Sequence, residues 1–341
     1  MSAKSPTTVE RVRSGEVRAA ARLMRNLDDG IPGARAILRE LFLRPGHAIV
    51  QGITGPPGAG KSSLTDRLVA YHRKAGRTVG VVAVDPTSPF TGGAILGDRV
   101  RMQDHALDPG VFIRSLATRG HLGGLSRATS DVVTVLDSMG KDVVLVETVG
   151  VGQDEVEIAE LAHSVVVVSI PGMGDEVQAI KAGVLEIADV FAVNKADREG
   201  ADRTVKDLQM MLDLRRTTAT RGGLDHDSVH RMTRTGAEDP HEAGWWEPPI
   251  VKTIATRDQG IAELAEAVES HRVHLDRTGE RQLREVSRAR ATFLTILRDR
   301  LMQGALSRLA EEVGHLDELA ARIASRSADP YELADDLARR L

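Results

Sequence analysis

Ala48-Ile49-Val50-Gln51-Gly52-Ile53-Thr54-Gly55-Pro56-Pro57-Gly58-Ala59-Gly60-Lys61-Ser62-Ser63 joins a short apolar run to the pattern G-x-x-x-x-G-K-[ST]. The run reads as a buried strand, and Ser63-Leu64-Thr65-Asp66-Arg67-Leu68-Val69 begins a helix. Strand, glycine loop and helix in that order form a phosphate-binding loop. The glycines let backbone N–H groups close around a polyphosphate, and the helix N-terminus adds the positive end of its dipole. Gly55, Pro56, Pro57, Gly58, Ala59, Gly60, Lys61, Ser62 and Ser63 are the phosphate-binding candidates. Lys61 suits the β and γ oxygens, and the Ser62 hydroxyl suits Mg²⁺. The implied ligand is a nucleoside triphosphate.

The base is encoded downstream. Asp189-Val190-Phe191-Ala192-Val193 reads as a strand, with Asn194-Lys195-Ala196-Asp197 at its carboxyl end, an N-K-x-D sequence. A carboxylate at Asp197 can accept from both the ring N–H and the exocyclic amine of guanine. Adenine offers neither and would leave that carboxylate desolvated and unpaired. The Lys195 stem can cover a purine face, and Asn194 can tie this loop to the phosphate loop. GTP and GDP are the expected nucleotides.

Two further strands end in carboxylates. Asp142-Val143-Val144-Leu145-Val146-Glu147 leads into Thr148-Val149-Gly150, which sets Glu147 near a metal or its water shell and Gly150 near a γ-phosphate. Val151 stands where Ras-like enzymes carry a water-orienting glutamine, and Gln153 is a nearby substitute. Val79–Val84 is a second such strand, with Asp85 at its end and a run containing Gly92, Gly93, Gly97 and Asp98 beyond it. Ser62, Asp98 and Glu147 form the expected Mg²⁺ set, since that ion takes few carboxylates together with phosphate oxygens and waters. Asp85 can hold the attacking water or a metal-bound one. Plain helix and turn capping remains the alternative for Glu147 and Asp85.

Across the 341 residues, seven apolar strand patterns alternate with helical ones. The expected fold is α/β, a P-loop NTPase with a mostly parallel central sheet of about seven strands and helices on both faces. Helical extensions flank it: an N-terminal extension over 1–44, a GTPase domain over 45–275 and a C-terminal helical hairpin over 276–341. The N-terminal lead carries Val12, Ala19, Leu23 and Leu27 on one face and breaks at Gly30-Ile31-Pro32-Gly33. The C-terminal pattern includes Phe293, Leu294, Ile296, Leu297 and Leu301, a break near Gly304, then Leu306, Leu309, Leu316 and Leu319. Its apolar face needs a cover, either a second subunit or the chain's own domain. A net charge of −4 makes no case for nucleic acid, and no apolar run approaches the roughly 18 residues of a membrane span. Without cysteine, disulfides and thiolate metal sites are excluded, and a soluble cytoplasmic protein is expected. His226 and His230 are spaced for chelation on a helix, but nothing around them completes a metal site, and Trp245-Trp246 reads as loop packing.

Several stretches now fall into order. They are the phosphate loop, Val84-Asp85-Pro86-Thr87-Ser88-Pro89, Gly92-Gly93…Leu96-Gly97-Asp98-Arg99, Arg119-Gly120-His121-Leu122-Gly123-Gly124-Leu125-Ser126, Glu147-Thr148-Val149-Gly150-Val151-Gly152-Gln153, Pro171-Gly172-Met173-Gly174-Asp175-Glu176 and Asn194-Lys195-Ala196-Asp197. Together they resemble the methylmalonyl-CoA mutase-associated GTPases, cobalamin chaperones in the metallochaperone class of P-loop GTPases. The resemblance is close over roughly residues 45 to 265. It implies a GTPase that gates adenosylcobalamin loading and repair of methylmalonyl-CoA mutase, its expected partner, with a homodimer as the expected assembly. It also implies that the stretch from Gly172 to Gly183, with Lys181, acts as an additional switch. Ile254-Ala255-Thr256 aligns with a guanine-contacting loop, but Ile254 replaces the family's serine and leaves that contact to the backbone. A low intrinsic rate stimulated by a partner is expected. Members of this family have also been described as kinases linked to basic amino-acid transport, and a nucleotide-regulated interaction module is a third reading.

Overall fold

A β-branched run with no polar face has to be covered on both sides, and seven strands, those at the centre mostly of this kind, build one sheet here. They are β1 (Ile49–Thr54), β2 (Val79–Pro86), β3 (Val111–Thr118), β4 (Val143–Glu147), β5 (Ser164–Ser169), β6 (Val190–Val193) and β7 (Ile250–Lys252). In this computed structural model every strand pair is parallel and the order is β3-β2-β4-β1-β5-β6-β7. The structure describes residues 6–86, 102–105, 107–118, 124–148, 154–172, 186–220, 245–312 and 316–340. Asp98, Gly150, Gln153, Lys181, His226 and His230 lie outside them, and of Asp85 only the backbone at the end of β2 is described.

Because side chains alternate across a strand, β1 feeds two cores. Ile53 faces α4 (Lys61–Lys74) and α8 (Ile261–Thr278), where Leu64, Leu68, Leu264 and Val268 are buried with Leu145 and Val168. Val50 faces the other layer, which holds α5 (Gly124–Ser138), α6 (Asp154–Leu161) and α7 (Ala201–Thr220). Gly52 lies on that second face, where a Cβ would come within 2.8 Å of Ile158 Cγ1. The missing side chain lets α6 press directly onto the central strand.

The N-terminal lead forms three helices rather than one interrupted pattern: α1 (Thr8–Arg13), α2 (Val17–Asp28) and α3 (Ala34–Phe42). A capping box between Thr7 and Glu10 starts α1, and Gly15 turns the chain at a φ of 80°. Val12, Ala19, Leu23 and Leu27 are all buried, as their spacing predicts. At the other end, the expected break at Gly304 does not occur. Helix α9 (Glu280–Glu312) runs through it for 33 residues, since one exposed glycine costs a helix only about 1 kcal/mol relative to alanine. The described tail then continues as α10 (Leu316–Ala324) and α11 (Pro330–Arg340).

Helix α9 is pinned at its base. Both terminal nitrogens of Arg284 donate to the Asp189 carboxylate at 3.0 and 3.1 Å, and Arg288 donates to the Leu161 carbonyl at 2.7 Å. Trp246 packs against His271 and His274 and donates its indole N–H to the Asp189 carbonyl at 2.8 Å, the packing role read for it. Beyond these anchors, Phe293, Leu294, Leu297 and Leu301 are exposed, so the described residues leave this apolar face uncovered. No described helix is long and apolar enough to cross a membrane.

His72 on α4 is only 2% exposed, and neither ring nitrogen has a hydrogen-bond partner among the described residues. Burial, reinforced by Arg77 and opposed by Glu269, pushes its pKa down to about 4. The unfolded chain therefore binds a proton near pH 6.5 that the folded chain refuses, so stability falls as pH drops from about 6.5 towards 4, by up to about 1.4 kcal/mol per unit. Replacing His72→Leu is expected to stabilise the protein more at pH 5 than at pH 8 in urea unfolding. An equal change at both pH values contradicts this account of the ring.

Candidate functional site

The phosphate loop leaves β1 under two steric constraints. Gly55 has a φ of 138°, and a Cβ there would meet the Val168 carbonyl oxygen of β5 at 2.1 Å. Gly60 has a φ of 87°, and a Cβ there would meet the Asn194 amide nitrogen at 2.5 Å. Only glycine fits either position. Gly60 is also the N-cap of α4, so the first N–H groups of that helix open towards the loop. Lys61, buried at that helix start, folds over the loop and donates to the carbonyls of Gly55 at 2.8 Å and Pro56 at 3.0 Å. The loop thus presents backbone N–H groups and one ammonium, which is chemistry for a polyphosphate.

Glu147 ends β4 beside this helix and is 4% exposed. Ser62 donates to its Oε1 at 2.6 Å, and Thr65 donates to its Oε2 at 2.9 Å. Thr148, the next residue, donates its hydroxyl to Thr54 at 2.9 Å and its N–H to the Ile53 carbonyl at 3.1 Å, which ties this strand end to β1. Ser62 and Glu147 offer only oxygen atoms, on buried side chains in contact. That hard donor set fits Mg²⁺. The third ligand expected there, Asp98, lies outside the described residues.

The guanine loop is held by one amide. Asn194 Nδ2 donates to the Ala59 carbonyl of the phosphate loop at 2.8 Å, while Oδ1 accepts from the Thr253 hydroxyl and the Ala255 N–H, both at 3.2 Å. Lys195 sits at a φ of 57°, uncommon for a residue with a side chain, and its Nζ reaches the Gly58 carbonyl at 2.7 Å. Such backbone strain persists where surrounding contacts over-determine it, and it clusters at ligand clamps. Asp197 is paired with Arg257 at 3.4 Å near the surface, an exchangeable contact. Ile254, Ala255 and Thr256 adjoin this loop. Strand β7 stops at Lys252 because the Ile254 N–H turns back to the Gln259 carbonyl at 2.9 Å, and the Ala255 N–H is committed to Asn194. Thr253 and Thr65 are site-building residues that no motif contains. Their signal was position alone: one precedes the Ile254 loop, and the other lies one helical turn beyond Ser62.

A family model described as Methylmalonyl Co-A mutase-associated GTPase MeaB matches residues 20–310. The chain belongs to this family. Its chemistry is accordingly that of a GTPase. It is 46% identical over 327 residues to a Pyrococcus abyssi protein described as a candidate GTPase, covering 96% of this chain and 94% of that one. With the Escherichia coli GTPase ArgK it shares 34% identity over 279 residues, 81% of this chain and 78% of that protein. A crystal structure of an LAO/AO transport system kinase superposes with a TM-score of 0.63 at 22% identity, covering 97% of this chain and 95% of that one. At that identity the likeness concerns fold, and it matches the parallel sheet described above.

In a GTPase of this layout the Asn194 amide sets the distance between base and phosphate loops. Asn194→Ala leaves a buried carbonyl, hydroxyl and N–H without their partner, at a cost of about 1–3 kcal/mol. The expected result is a lower melting temperature and a GDP affinity weakened at least tenfold by isothermal titration calorimetry. Wild-type GDP affinity in this variant contradicts the role.

Proposed function

We propose that this GTPase gates adenosylcobalamin delivery to methylmalonyl-CoA mutase and protects or reactivates that enzyme. The observation that carries the reading is the match of residues 20–310 to a family described by its association with the mutase. The exposed apolar face of α9, from Phe293 to Leu301, adds support for an assembly, and a second copy of the chain is its proposed cover.

The site's chemistry follows from its residues. Lys61 exchanges its bonds to Gly55 and Pro56 for β and γ phosphate oxygens, and the N–H groups at the start of α4 bind the same charge. Asp197 leaves Arg257 and accepts two hydrogen bonds from guanine, with the Lys195 stem over the purine face. Ser62 and Glu147 would hold Mg²⁺, with Asp98 as third ligand, and the ion would supply neutralisation of charge developing on the phosphates. Asp85 and Gln153 are the groups proposed to orient the attacking water, and Gly150 offers its N–H to the γ-phosphate. Val151 has no hydrogen-bonding side chain, so water positioning falls to Asp85 and Gln153, and a client that favours their competent arrangement raises the rate. Lys181 is the proposed sensor of that client.

GTP turnover is therefore expected to be slow for the isolated protein and to rise about tenfold or more with an adenosylcobalamin-dependent methylmalonyl-CoA mutase. Lys181→Ala is expected to reduce this stimulation and leave basal turnover largely intact. Phosphate-release assays with and without the mutase decide the matter. Rapid turnover alone, unchanged by the mutase, overturns the reading.

A further inference from the structure

Thr65 lies three residues beyond Ser62, so the two hydroxyls share one face of α4 at successive turns. Ser62 takes Oε1 of Glu147 and Thr65 takes Oε2, so the carboxylate is held by both oxygens against one helix. Thr65 is fully buried, and its Oγ1 also stands 3.0 Å from the Lys61 carbonyl. One hydroxyl proton is therefore shared between a neutral carbonyl and a carboxylate. The carboxylate is the stronger acceptor, because hydrogen bonds to a charged oxygen are roughly twice as strong as neutral ones.

We infer that Thr65 is a positioning residue for the metal-side carboxylate: it fixes Oε2 of Glu147 so that Oε1 stays aimed at Ser62. The inference rests on the reading of Ser62 and Glu147 as Mg²⁺-side groups. It goes beyond that reading because no phosphate-loop motif includes Thr65, whose hydroxyl is directed to Glu147. The two hydroxyls have separable duties. Ser62 can turn a lone pair to a cation while it donates to Oε1, whereas the Thr65 hydroxyl bonds to Glu147 and the Lys61 carbonyl of its own helix. Without the Thr65 proton, the Glu147 carboxylate loses one of its donors and is held less firmly about its last torsion.

Thr65→Val keeps the branched shape and removes the hydroxyl; Thr65→Ser keeps the hydroxyl and removes the methyl. The probe is the dissociation rate of a fluorescent GDP analogue measured across Mg²⁺ concentrations, with thermal unfolding of each variant as the control for folding. Thr65→Val is expected to raise the half-effect Mg²⁺ concentration about tenfold, leave the metal-free dissociation rate within about twofold, and be rescued by Thr65→Ser. Glu147→Gln is expected to shift the same half-point at least as far. A shift in Glu147→Gln without one in Thr65→Val overturns the inference and leaves the parent reading standing. An equal shift in Thr65→Ser and Thr65→Val assigns the effect to packing and also overturns it. If neither wild type nor Glu147→Gln responds to Mg²⁺, the parent reading fails and the inference falls with it.

Discussion

One side-chain amide joins the three loops of the nucleotide site. Asn194 donates to the phosphate loop at Ala59 and accepts from Thr253 and Ala255 of the last loop, while its own backbone N–H is held by the Ser169 carbonyl at 2.8 Å. All of these atoms are buried, so each bond stabilises the site by more than its net value in water, because losing one leaves a polar group dry. These bonds hold the loop that carries Asp197 in a fixed relation to the phosphate loop. This is why the glycine at position 60 admits no substitute: a Cβ there would occupy the space of the amide that makes the joint.

The sheet makes the joint possible. β1 lies between β4 and β5, so the phosphate loop emerges at the middle of the sheet and the ends of its neighbours flank it. β4 delivers Glu147 on one side. On the other, β5 and β6 deliver Ser169 and Asn194. The sheet's opposite end holds a separate polar knot, in which Asp189 accepts from the Val165 N–H at 2.8 Å and from Arg284 of α9. Helix α9 is thereby fixed to the start of β6, the strand that carries the Asn194 loop at its other end. Its exposed apolar face projects from a rigid base.

The central strands were legible because a strand buried on both faces must be largely apolar, and that leaves an unmistakable run; β3 and β7, at the edges, were legible from shorter apolar stretches. The phosphate and guanine loops were legible for the same kind of reason: backbone clearance at Gly55 and Gly60 and the bonding of Asn194 permit few residue types. The unbroken path of α9 through Gly304 was not legible, since the cost of one glycine is spread over 33 helical residues. Nor was the end of β7 at Lys252, which depends on the Ile254 to Gln259 bond across a turn. Thr65 and Thr253 escaped because a buried threonine in a helix or at a strand end is ordinary until its hydroxyl is seen to meet a carboxylate or an amide. Asp98, Gln153 and Lys181 rest on motif and resemblance, as their stretches lie outside the described residues.

The central claim is that a preset guanine pocket and phosphate cradle act as one site. It is tested most directly by measuring the affinities of GTP, ATP and xanthosine triphosphate for the wild type and for Asp197→Asn. The account predicts that the wild type prefers GTP, and that the variant loses about 2 kcal/mol or more of GTP binding and gains preference for xanthosine triphosphate. An unchanged order of the three nucleotides in Asp197→Asn would contradict it.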